Sequence, residues 1–127
     1  MRFRYTILYV ADAARSVAFY ARAFGLKPRL VHESGYAELD TGDTVLAFLS
    51  RGTLAAMRKT VAAPSPDAPV FEIALEVDDV AAAYDAAVAA GARAVSPPKD
   101  MPWGQTISYV ADDDGFLIEV CSPVQPA

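Results

Sequence analysis

The chain writes one phrase twice. "YTILYVADA", from Tyr5, returns as "EIALEVDDV" from Glu72, so that Ile7, Val10 and Asp12 fall over Ala74, Val77 and Asp79. A repeat on this scale constrains the fold more than any composition does. Each copy is one supersecondary unit too small to bury its own apolar face, so the expected domain contains both.

In the first copy, alternation from Phe3 to Val10 predicts a β-strand. The period then changes: Asp12 is a helix N-cap, Val17, Tyr20, Ala21 and Phe24 recur at helical spacing, and Gly25 suits a left-handed C-terminal cap. Three strand-like runs follow, "RLVHES", "YAELD" and "TVLAFLS", separated by Ser34-Gly35 and by Thr41-Gly42-Asp43. The second copy repeats the plan. Glu72 to Val77 is a strand, Asp79 a cap, and "VAAAYDAAVAAG" a helix closed by Gly91. A short strand near "RAVS", another at "QTISYV", the "DDDG" turn and a last strand "FLIEVCS" complete it. Between the copies, "RGTLAAMRKTVAAPSPDAP" begins as a helical turn or more and ends as a proline-rich connector. The expectation is an α+β fold of two βαβββ modules within one domain spanning residues 1–127. Module one covers about 1–50, the linker about 51–69 and module two about 70–123.

A length of 127 residues, 54% of them hydrophobic, suffices for one packed core without metal or disulfide support. The formal charge of -5, with no basic stripe, argues against nucleic acid as a partner. Cys121 is the only cysteine, which excludes an intrachain disulfide. No signal-peptide pattern precedes the first strand, and no apolar run approaches the roughly 20 residues that span a bilayer, so the expectation is a cytoplasmic protein away from membranes.

Three stretches, "YTILYVADAARSVAFYARAFGL", "FEIALEVDDVAAAYDAAVAAGA" and "PWGQTISYVADDDGFLIEV", together resemble the vicinal oxygen chelate superfamily, that of glyoxalase, bleomycin resistance protein and dioxygenase. The resemblance covers nearly the whole chain. It implies modules in pseudo-twofold arrangement, their mixed sheets forming a cup with helices outside, and a homodimer. In the family's metalloenzymes the first and last strands of each module each supply a ligand to a divalent metal in that cup. Those positions fall here on Tyr5 and Ala47 in the first module and on Glu72 and Glu119 in the second. The glyoxalase I pattern would have His or Gln, Glu, His and Glu, so only Glu119 is retained in kind.

A tight divalent site needs three or four suitable ligands, usually with imidazole among them. Ala47 has no donor, and the phenol at Tyr5 is a poor ligand because tyrosine ordinarily ionises only near pH 10, so no metal ligand is assigned. A weak Mg²⁺ or Mn²⁺ site on Glu72 and Glu119, completed by water or substrate oxygens, is the residual metal reading. His32 is the only histidine and reads as an exposed or hydrogen-bonded polar residue. Alternation puts Phe116, Ile118 and Val120 on the helix-packed face of the last strand and Leu117, Glu119 and Cys121 on the other. Glu72, Ala74 and Glu76 alternate in the same way. Two carboxylates facing one cleft repel, so the pair could hold a proton and act as acid and base, with Tyr5 as a hydrogen-bonding third member. Tyr5, Ile7, Tyr9 and Ala47 would line the cup, and Trp103 in "KDMPWGQT" would stack on a ligand from the rim. "DDDG" reads as a hairpin turn, and Cys121 has no basic neighbour in sequence to make it a nucleophile.

Three function classes follow. The first is a metal-independent receptor for a small, cationic or planar molecule. The second is a glyoxalase-like, metal-dependent lyase or isomerase using Glu72 and Glu119. The third is an accessory protein with a vestigial cup.

Overall fold

The computed structural model describes residues 1–126. The chain divides into two compact units, Met1–Ala63 and a second that starts at Pro64.

In the first unit β1 (Tyr5–Val10) leads to α1 (Ala13–Phe24), then β2 (Lys27–His32), β3 (Tyr36–Asp40), β4 (Val45–Ser50) and the short α2 (Arg51–Ala56). The strands form one sheet in the order β1-β4-β3-β2, with β1 parallel to β4 and the other pairs antiparallel. The helix starts where Asp12 accepts a hydrogen bond from the Arg15 amide, and it ends at Gly25 in the left-handed conformation. Its apolar stripe, which includes Ala13, Val17, Tyr20 and Ala23, is buried. The Tyr20 ring packs 4.9 Å from that of Phe48 on β4, and both are wholly inaccessible. Burial of an aromatic side chain of this size stabilises by about 1.5–3 kcal/mol. Leu8, Val10, Ala37, Leu39 and Leu46 are buried in the same unit.

The second unit repeats the order with β5 (Glu72–Glu76), α3 (Val80–Ala89), β6 (Arg93–Met101), β7 (Gln105–Ala111) and β8 (Leu117–Cys121). Its sheet runs β5-β8-β7-β6, again with the first strand parallel to the last. Asp79 caps α3 by accepting from the Ala82 amide. The helix closes at Ala90, where the Ala92 amide reaches back to the Ala87 carbonyl at 3.0 Å across Gly91, whose φ of 112° is open to glycine. Against α3 lie Ile118, Val120 and Val110, with Ser108 among them, its hydroxyl donating to the Val120 carbonyl at 2.8 Å.

The expected β-α-β-β-β order is present in both units. The short strand expected near "RAVS" is a nine-residue strand through Pro97 and Pro98. It tolerates two prolines because β6 lies at the sheet edge and its ladder is interrupted between Ala94, Ser96 and Lys99. The "DDDG" segment is the β7–β8 turn, where buried Asp112 accepts from the amides of Asp114, Gly115 and Phe116. No helix among the described residues is long and apolar enough to cross a membrane.

Candidate functional site

Register builds the polar face of the second unit. β7 and β8 set Tyr109 opposite Glu119 and Ile107 opposite Cys121, while β5 and β8 set Ala74 beside Glu119. Residues in register point to the same side of a sheet, so Glu72, Glu119, Tyr109, Cys121 and Gln105 all stand on the face away from α3. Burial raises the Glu119 carboxyl above the usual carboxylate range, and the hydrogen bond to Glu72 and the charge of Glu72 raise it further. Tyr109 titrates above its ordinary range, first through burial, then through the charges of Glu119 and Glu72 and a hydrogen bond to Glu72. Two carboxyls and a phenol thus share one patch of sheet, where burial and the neighbouring Glu72 charge favour the protonated form of Glu119.

Cys121 stands one step along the same face. Burial pushes its thiol up, and the nearby charge of Glu119 adds to this, while its sulfur lies 3.7 Å from the Leu75 carbonyl. It is a packed thiol, which is consistent with the absence of a basic neighbour in its sequence.

In the first unit Tyr5, Ile7 and Tyr9 alternate along β1 and are exposed. Ala47 is in register with Ile7 and fully buried. Opposite Ala47 stands Glu38, a buried carboxylate. The Tyr36 hydroxyl donates to Glu38 Oε2 at 2.6 Å, and Arg29 Nε lies 3.5 Å from Oε1. Burial raises the Tyr36 hydroxyl well above its ordinary range, and the bond to Glu38 adds to that. The same pair of strand positions is therefore filled in opposite ways. The second unit carries its carboxylate on the last strand, at Glu119, across from Tyr109; the first carries it on the neighbouring strand, at Glu38, across from Ala47.

Of the residues singled out from sequence, Glu72 and Glu119 come together, and Tyr5, Ile7, Tyr9 and Ala47 share one face of the first sheet. Trp103 lies in the β6–β7 turn, more than half exposed, its indole N–H donating to Gln105 Oε1 at 2.8 Å. His32 ends β2, exposed, with Nδ1 accepting from the Ser34 amide. Sequence reasoning passed over Tyr109, Glu38, Tyr36, Arg29 and Gln105. Counting outward from the two hairpin turns would have set Tyr109 against Glu119 and Glu38 against Ala47.

A divalent metal, which the resemblance implies, does not fit these donors. Among the described residues no three His, Cys, Asp or Glu side chains cluster to hold an ion. Ala47 offers no donor atom, and Glu38 is already engaged by a guanidinium and a phenol. Glu72 and Glu119 supply oxygens only, and an ion would have to compete with the proton that burial and Glu72 favour on Glu119.

Paired βαβββ units, each a mixed sheet with its polar face turned from the helix, define a class of small α+β modules built by duplication. The model of the Glyoxalase/Bleomycin resistance protein/Dioxygenase superfamily matches residues 2–120, and the chain belongs to that family. It is 31% identical over 119 residues to the uncharacterized protein YraH of Bacillus subtilis, covering 89% of this chain and 91% of that one. A probable lactoylglutathione lyase of Vibrio cholerae is 31% identical over 130 residues, covering 94% and 88%. Among solved structures, a glyoxalase-related enzyme from Fulvimarina pelagi superposes with a TM-score of 0.81 at 25% identity, covering 96% of this chain and 88% of the other.

Proposed function

We propose that the chain is a receptor for a small molecule bearing a positive or strongly hydrogen-bond-donating group, which it takes up without a tightly bound metal. The observation that supports this reading is the Glu72–Glu119 carboxyl pair beside Tyr109 on a helix-free face. A cation relieves the repulsion of that pair; an anion increases it. Trp103, exposed in the same unit, supplies apolar area for a planar skeleton. Small-molecule uptake inside the cytoplasm by a homodimer completes the proposal.

Two planar dyes of opposite charge test it. Proflavine, a cation, should raise the melting temperature and bind saturably, whereas anilinonaphthalene sulfonate, an anion, should do neither. Replacing both carboxylates, Glu72→Gln with Glu119→Gln, should weaken proflavine about tenfold or more, in the range expected for losing a charged hydrogen-bond partner. Equal binding of the two dyes would overturn the reading.

A second reading is a glyoxalase-like lyase or isomerase. The raised Glu119 carboxyl favours it, because a general base works best with a pKa moved toward neutrality. Formation of lactoylglutathione from the hemithioacetal of methylglyoxal and glutathione, lost in Glu119→Gln, would establish it over the receptor.

A further inference from the structure

An exposed tryptophan is ordinarily free to turn, but Trp103 is held at its one polar atom. Its indole nitrogen, a donor only, meets Gln105 Oε1 at 2.8 Å, which fixes the orientation of the Gln105 amide. Nε2 then faces the opposite way and donates to the Ser122 carbonyl at 3.0 Å, beside a contact with the Cys121 thiol. Both ends of the amide are occupied by groups of the correct polarity.

The backbone around the ring is equally fixed. Gly104 adopts a φ of 84°, and a Cβ there would come within 3.0 Å of the Gln125 carbonyl oxygen. The Gln125 amide donates to the Gly104 carbonyl at 2.7 Å, and the Ser122 amide to the Thr106 carbonyl at 2.9 Å. Thr106 N–H returns a bond to the Ser122 hydroxyl at 2.9 Å. The segment following β8 thus straps the β6–β7 turn, and Gln105 ties the indole to that strap.

Gln105 shares its sheet face with Tyr109, four residues further along β7, and through Tyr109 with Glu119. Four residues of strand span about 13 Å. We propose that Gln105 is a positioning residue that holds Trp103 as a pre-ordered aromatic platform, selecting elongated ligands with a planar end for the indole and a cationic or donor end for Glu72 and Glu119. This deepens the receptor reading and rests on it. An ordered indole has already lost the rotamer freedom that a free one would lose on binding, and that difference corresponds to about three- to tenfold in affinity.

Trp103 is the only tryptophan, so its fluorescence reports this side chain alone. Time-resolved anisotropy of the ligand-free protein should decay with overall tumbling, and Gln105→Leu should add a fast nanosecond component. Proflavine affinity should fall about three- to tenfold in Gln105→Leu. A parallel loss is expected in Trp103→Phe, which keeps a ring but removes the N–H and leaves Gln105 intact. Unchanged anisotropy in a folded Gln105→Leu, or wild-type proflavine affinity in Trp103→Phe, overturns the positioning role. Proflavine that fails to bind the wild-type protein, while anisotropy still responds to Gln105→Leu, leaves the tether standing and overturns the receptor reading together with the ligand selection proposed for it.

Discussion

Glu119 has a carboxyl that burial and Glu72 both push toward the protonated form, and this gives it a testable signature in stability. A carboxyl raised in the folded state binds its proton more tightly than the unfolded chain does. Its favourable contribution is complete below the unfolded value, near 4.3 for glutamate, and is lost as pH rises through the raised folded value. Glu119→Gln removes this dependence. The variant should match the wild type at acid pH and exceed it above neutrality by about 0.2–1 kcal/mol, the scale of cross-strand like-charge repulsion. Urea unfolding of both proteins across the pH range measures the difference. A wild type that gains stability steadily from acid to neutral pH relative to Glu119→Gln would mean that some cation neutralises the pair. Buried Glu38 meets its burial cost differently: a phenol and a guanidinium already satisfy its two oxygens.

At the scale of elements, the two caps do equal local work on unequal helices. Asp12 and Asp79 each satisfy one amide of a first turn, so Asp12→Ala and Asp79→Ala should each cost about 1 kcal/mol in urea unfolding. α1 has Tyr20 and a long apolar stripe to hold it, whereas α3 buries only Val80 and Ala87, so fraying on amide exchange should be greater in the Asp79 variant. These elements were legible in the sequence because period, cap and closing glycine agreed at Asp12 to Gly25 and again at Asp79 to Gly91. β6 was under-read because Pro97 and Pro98 signal a break in any central strand, and only its place at the sheet edge permits them. The partners of Glu119 and Ala47 were missed for another reason. Alternation assigns a residue to a face but does not say what stands beside it on the next strand; that depends on register, which the turns set.

For the whole molecule, the repeated phrase disclosed the β-α-β-β-β order of both units, yet it concealed how far the chemistry of the two copies has diverged. Tyr5 and Glu72 occupy matching places on β1 and β5, as do Ala47 and Glu119 on β4 and β8. Only the second copy keeps acid at both, while the first has moved its carboxylate to Glu38 and neutralised it with Arg29. A divalent ion binding here would have to compete with the proton that burial and Glu72 favour on Glu119, and among the described residues no three His, Cys, Asp or Glu side chains gather to hold it. Protein purified without chelator and dialysed should therefore carry well under one equivalent of metal by elemental mass spectrometry. Added Ni²⁺, Zn²⁺, Mn²⁺ or Mg²⁺ should leave the melting temperature within about 1 °C, because a stabiliser present near its dissociation constant adds only a few tenths of a kcal/mol. Retention of one equivalent of nickel or zinc, lost in Glu119→Gln, would restore metal-assisted chemistry to the second unit and make the lyase reading the one to pursue.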